Sequence, residues 1–166
     1  VEMSCREIEK AHARGVRLVG ELVPYMMGWK RYSAPETVEI LRLAAEYGMV
    51  VSMHPTNYED MDALAAALPG LKIVYAHLGG YGGYEGHLEL MRRHENVCFD
   101  YSVHGSDSDG TLRRAIDAVG RDRILYGTDY PGVGPAADKA AVLFEGLTDA
   151  ELEAVFSLNA ARLLGL

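Results

Sequence analysis

Three residues able to bind a metal or move a proton stand at the ends of apolar stretches: His54 in VVSMHP, His77 in IVYAHLGG and Asp129 in ILYGTDYP. A fourth, Glu21, lies in VGELVP. Imidazole nitrogens and carboxylate oxygens are the donors that zinc and related divalent ions take. The same groups, held in a cleft, act as general acids and bases. Taken singly, each has a plainer reading. A lone His at a strand end is usually a hydrogen-bonded structural residue, Gly-Thr-Asp-Tyr-Pro is a turn sequence because Asp and Pro favour turns, and Glu21 can pair with a loop Arg or Lys. Recurrence at equivalent places on successive strands is what points to a shared site.

The elements that would position these residues alternate along the chain. Apolar, β-branched-rich runs at residues 16–22, 49–53, 72–76, 97–101 and 123–127 read as strands. Between them, helical spacing covers residues 4–14, 35–47, 58–68, 84–94, 111–119 and 136–144. Two short helices follow at 149–156 and 160–164, the second with Asn159 as its expected N-cap. Near-continuously apolar strands separated by helices predict an α/β fold with a parallel sheet covered by helices. In such sheets the active site lies at the carboxyl ends of the strands, which is where the candidates stand. Alternation along a strand pairs Ser52 with His54, Tyr75 with His77 and Gly127 with Asp129 on common faces. Periodicity does not choose between an open doubly wound sheet and part of a barrel.

Other candidates carry less. His104, in YSVHGSDSDG, follows the fourth strand at the same pole and is a possible substrate contact. Trp29, with Tyr25, Met26 and Met27, lies on a loop that can wall an apolar pocket or cover helix ends. His87 and His94 share one helix face and read, like His12, as exposed. The glycines at 79, 80, 82 and 83 lack the spacing of a phosphate-binding loop.

The chain has 166 residues, 49% of them hydrophobic, and a net charge of −8 without any Lys/Arg-rich run. Nucleic acid and anionic membrane are therefore not expected partners. No apolar run approaches a membrane span, and no signal peptide is apparent. Cys5 and Cys98 read as two thiols of a reducing compartment, so the expected location is cytoplasmic.

The segments VVSMHP, IVYAHLGG, NVCFDYS, RILYGTDYP and NAARLLGL, in this order, resemble the amidohydrolase-related family that includes aminocarboxymuconate-semialdehyde decarboxylase. The resemblance covers residues 16–166. It implies a (β/α)₈ TIM-barrel fold of which this chain supplies strands four to eight, as one partial domain over residues 1–166. It also implies a divalent metal, zinc by expectation, with His54 and Asp129 as ligands and His77 and Asp129 as catalytic groups. Apart from the resemblance, the positions of Glu21, His104 and Trp29 make them expected substrate contacts. The implied chemistry is hydrolysis of a small carbonyl, ester, lactone or amide substrate by metal-activated water, with Asp129 as base and His77 polarising the carbonyl. Metal-dependent decarboxylation is the alternative within the family. The family's first-strand His-x-His is missing from this sequence, which admits a third reading, a non-catalytic barrel remnant serving as an interaction module. A barrel typically needs about 250 residues, so sequence upstream of Val1 is expected to hold an apolar strand ending in His-x-His. Without it, exposed sheet edges should make the isolated chain self-associate. The expected partner is a small-molecule substrate, with a homo-oligomer possible.

Overall fold

A computed structural model describes residues 1–80, 83–103 and 109–166. Helix α1 (Glu2–Ala13) leads into β1 (Leu18–Leu22), followed by the short α2 (Pro24–Met27) and by α3 (Pro35–Glu46). Then come β2 (Val50–Met53), α4 (Tyr58–Ala67), β3 (Lys72–Tyr75), α5 (Tyr84–Arg93), β4 (Val97–Tyr101), α6 (Thr111–Val119) and β5 (Ile124–Tyr126). Helices α7 (Pro135–Phe144), α8 (Asp149–Glu153) and α9 (Asn159–Leu164) complete the order.

The strands form one sheet in the order β1-β2-β3-β4-β5, with every pairing parallel. A doubly wound sheet reverses its strand order at a switch point, and this one does not. Crossovers of constant right hand, all stepping the same way, place the connecting helices on one face. That is the construction of a barrel wall. Among the described residues β1 and β5 each have a strand partner on one side only, as expected for five strands of a barrel.

The two faces have different jobs. Val51, Met53, Ile73, Tyr75, Phe99 and Ile124 point to the helices and pack with Leu41, Met61, Leu64, Leu88, Met91 and Leu112. Each such side chain contributes about 1.5–3 kcal/mol by leaving water, so this layer is the main source of stability. Val50, Val74, Cys98 and Leu125 point the other way, where Ala160, Leu163 and Leu164 of the last helix cover them. Burial there raises the Cys98 thiol to about 11 and makes it unreactive.

The C-terminal segment differs from the expected pair of capped helices. After the Thr148–Glu151 capping box that opens α8, a π-helical turn (Ala154–Leu158) runs directly into α9. Asn159 therefore has helical φ and ψ and caps nothing. It is fully buried, and its side-chain amide donates to the carbonyls of Arg121 (2.6 Å) and Ile124 (2.8 Å). That clasp fixes the terminal helices to β5. No described helix is long and apolar enough to cross a membrane.

Candidate active site

At the carboxyl pole of the sheet Glu21, His54 and His77 meet. Each offers one ligand atom, and these atoms lie within 4.8 Å of one another. His54 Nδ1 is 3.0 Å from Glu21 Oε1, and His77 Nε2 is 3.7 Å from the same oxygen. The two imidazole rings stand edge to face with centroids 5.2 Å apart. One carboxylate and two imidazoles is a donor set suited to zinc or manganese.

Three local devices bring these side chains together, and only one is simple strand alternation. His54 continues the inward face of β2. Glu21 arrives through a β-bulge, in which Gly20 and Glu21 of β1 together oppose Ser52 of β2. Strict alternation from the inward Leu18 would send Glu21 to the helix side, and the extra residue reverses that. His77 reaches the site by a left-handed turn, φ 60°. Tyr75 faces the helical core, so the expected common face for Tyr75 and His77 is corrected. Beyond the strand end the backbone leaves the alternating pattern and turns the imidazole inward. A non-glycine residue at positive φ costs of order 1–3 kcal/mol, and such residues cluster at functional sites.

The His77 turn is held from several directions. Its amide donates to Asp100 Oδ1 (3.1 Å), and the Leu78 amide donates to the Asp100 carbonyl (2.9 Å). Its Nδ1 lies 2.8 Å from Ser102 Oγ. Burial raises the Asp100 carboxyl pKa, opposed by hydrogen bonds from Ser102 and the His77 amide. Just beyond, the Gly79 amide donates to His87 Nδ1 (3.2 Å). His87, read from the sequence as exposed, is fully buried and stacked on Phe99 at 4.3 Å. His94 is likewise not a free surface residue, since its Nε2 sits 2.8 Å from Asp62. His12 stacks on Tyr47 at 4.1 Å.

Beside His54 lies a cavity of about 340 Å³ lined by Tyr25, Trp29, Lys30, His54, Thr56 and Asn57. Trp29 is half-buried, edge-on to Tyr32. It lines the cavity and packs inward. Tyr25 stands edge-on to His54 with centroids 5.8 Å apart. Asp60, almost wholly buried, anchors this loop by accepting from the amides of Tyr32 and Ser33 (2.9 Å each) and from the Ser33 hydroxyl (2.6 Å). Burial raises its pKa, but these bonds and one from Thr56 outweigh it and hold the carboxyl below the usual carboxylate range. A depressed folded pKa gives stability that is complete above the unfolded pKa and lost as pH falls through the folded one. Wild type is therefore expected to lose stability below about pH 4, while Asp60→Asn, weaker at neutral pH, should show a shallower acid decline. Urea titrations at a series of pH values check this, and parallel acid limbs would remove Asp60 from the account.

Asp129 lies at the same pole after β5, exposed and at φ 54°. Among the described residues it belongs to no cluster of three ligand-type groups. Around His54, contacts are made with Glu21 and His77. Glu21, expected as a substrate contact, stands instead among the potential ligands. His104 lies outside the described residues. The roles of Asp100, Ser102 and Asp60 escaped sequence reading. The spacing of Asp100 and Ser102 on one strand face was their only available signal.

A family model described as amidohydrolase matches residues 5–166, and the chain belongs to that family. No curated protein matches the sequence as a relative. Among solved structures, the chain is similar to a putative 2-pyrone-4,6-dicarboxylic acid hydrolase from Pseudomonas putida. The TM-score is 0.74 at 20% identity, over 97% of this chain and 67% of that one. It is equally similar to a dihydroxybenzoic acid decarboxylase from Polaromonas sp. JS666 with bound manganese and the inhibitor 2-nitroresorcinol. There the TM-score is 0.74 at 19% identity, covering 99% and 66%. An uncharacterized TIM-barrel protein from Bordetella bronchiseptica gives 0.79 at 18% identity, covering 96% and 61%. Likeness at such identities establishes the barrel fold. The chain spans between 57% and 67% of the length of these structures and of a 2,6-dihydroxybenzoate decarboxylase that it also matches.

Proposed function

We propose that the protein is a metal-dependent hydrolase of small carbonyl, ester, lactone or amide substrates. The observation that carries this reading is the convergence of Glu21, His54 and His77 within 4.8 Å at the carboxyl ends of adjacent parallel strands. The donor set fits a divalent ion, with zinc the first choice and manganese next, and Glu21, His54 and His77 would hold it. When bound, a divalent ion would polarise a carbonyl and lower the pKa of water to about 7. Asp129, exposed at the same pole, takes a proton from the attacking water. His77 would direct Nε2 at the ion, and Tyr25, Trp29 and Lys30 orient the substrate.

A second reading, decarboxylation, is favoured by one specific observation: the manganese-bearing decarboxylase superposes as well as the pyrone hydrolase, each at TM-score 0.74. A panel of lactones and aromatic carboxylates, incubated with the full-length protein and Zn²⁺ or Mn²⁺, separates the two. Ring opening supports hydrolysis and carbon dioxide release supports decarboxylation. Absence of any metal-dependent turnover across the panel would favour the non-catalytic module. On whichever substrate turns over, Asp129→Asn is expected to lower kcat about 100-fold or more, the range for losing a general base, with KM little changed. Turnover near the parental rate would reduce Asp129 to a turn residue.

A further inference from the structure

Behind His77, on the side away from Glu21, lies a pair of side chains with no part in the reading above. Ser102 is 2% exposed, and its Oγ is 2.8 Å from His77 Nδ1 and 2.5 Å from Asp100 Oδ1. The same Oδ1 receives the His77 amide hydrogen at 3.1 Å. An oxygen that accepts an N–H is the acceptor end of its carboxyl group, so the Ser102 hydroxyl donates to it. That donation uses the only hydrogen Ser102 has. Toward His77, therefore, Ser102 offers a lone pair, which is satisfied when Nδ1 carries the proton.

We infer that Ser102 and Asp100 are positioning residues that hold His77 in its Nδ1–H tautomer, so that Nε2 presents a lone pair to the site. Such partners of an imidazole fix both ring orientation and tautomer. The inference rests on the proposed site but concerns a property His77 has without any ion or substrate. It also bears on the fit of that site. Nε2 lies 3.7 Å from the Glu21 carboxylate, and an unprotonated imidazole nitrogen is the form that ligates a metal.

An independent feature supports the arrangement. Position 127 on the neighbouring strand face is glycine, and a Cβ there would come within 3.0 Å of Asp100 Cγ and 3.1 Å of Oδ1. The next strand leaves room for the carboxylate where the relay needs it. His77 and Ser102 are both almost wholly buried, so water does not compete for the 2.8 Å contact.

The test is ¹⁵N–¹H correlation spectroscopy of histidine-labelled full-length protein without metal, with His77 assigned by its loss in His77→Gln. Wild type is expected to show a pyrrole-type Nδ1 and a pyridine-type Nε2 for His77. In Ser102→Ala the two tautomers should mix, and Ser102→Thr, which keeps the hydroxyl, should restore the wild-type pattern. Titration with Mn²⁺ alone, followed by electron paramagnetic resonance, should show affinity falling about 10- to 100-fold in Ser102→Ala, the usual loss for an outer partner. An Nε2–H tautomer in wild type overturns the inference outright, without needing any variant to fold. An unchanged tautomer in Ser102→Ala also overturns it, even where Mn²⁺ binds. The predicted tautomers with no Mn²⁺ binding would uphold the relay and sink the metal-dependent function instead.

Discussion

His54→Ala is expected to lower metal occupancy and to reduce kcat/KM by at least about 100-fold at metal concentrations that saturate wild type. The magnitude follows from comparison, since loss of a partner behind a ligand already costs about 10- to 100-fold, and loss of a ligand should exceed that. His54 follows the middle of the three strands, with Nδ1 3.0 Å from Glu21 Oε1 and its ring 5.2 Å from that of His77. Its removal leaves one carboxylate and one imidazole, too few for a site that usually has three or four ligands. The fold should survive. His54 lies past the end of β2, and the hydrogen bond joining the strand ends there is made by its backbone amide, which donates to the Leu22 carbonyl at 2.9 Å. Elemental analysis after dialysis, with steady-state kinetics on the substrate found, checks both halves. Occupancy equal to wild type would take His54 out of the ligand set.

Gly20→Ala is expected to be the most damaging single substitution for the fold, costing about 3–5 kcal/mol. A Cβ at position 20 would lie 2.2 Å from the Ser52 carbonyl oxygen and 2.9 Å from the Leu22 amide, both backbone atoms with little freedom to move. The φ of +115° is in addition one that an L side chain rarely adopts. Overpacking and backbone strain each cost about 1–3 kcal/mol, and here they act together. Relief requires undoing the bulge, which would turn Glu21 to the helix side. Urea unfolding should therefore show a lower midpoint, and metal affinity should fall with it. A variant within about 1 kcal/mol of wild type would mean that β1 and β2 do not approach as described.

The strands and helices were legible in the sequence because each buries one face, and burial writes a period of two or 3.6. Most ends shifted by a residue or two, as ends do, while α8 stops three residues early at the π-helical turn and α2 lies where a loop was expected. What the pattern could not carry was the aim of side chains beyond regular structure. Glu21 depends on a bulge signalled only by Gly20, and His77 on a left-handed turn that β-alternation misplaces. His87 looked like a surface residue since polar residues surround it in sequence, yet its ring fills the space between α5 and Phe99. Asn159 read as a cap because Asn favours that position, while its bonds to Arg121 and Ile124 are made 38 and 35 residues away. Barrel and doubly wound sheets share one alternation, and only the strand order separates them.

The most direct measurement is an anomalous diffraction map from crystals of the full-length protein soaked in Mn²⁺. The account predicts a single strong peak at the carboxyl pole, within about 2.0–2.4 Å of an oxygen of Glu21 and a nitrogen of each of His54 and His77. A peak elsewhere, or none at millimolar metal with these three side chains ordered as described, would contradict it.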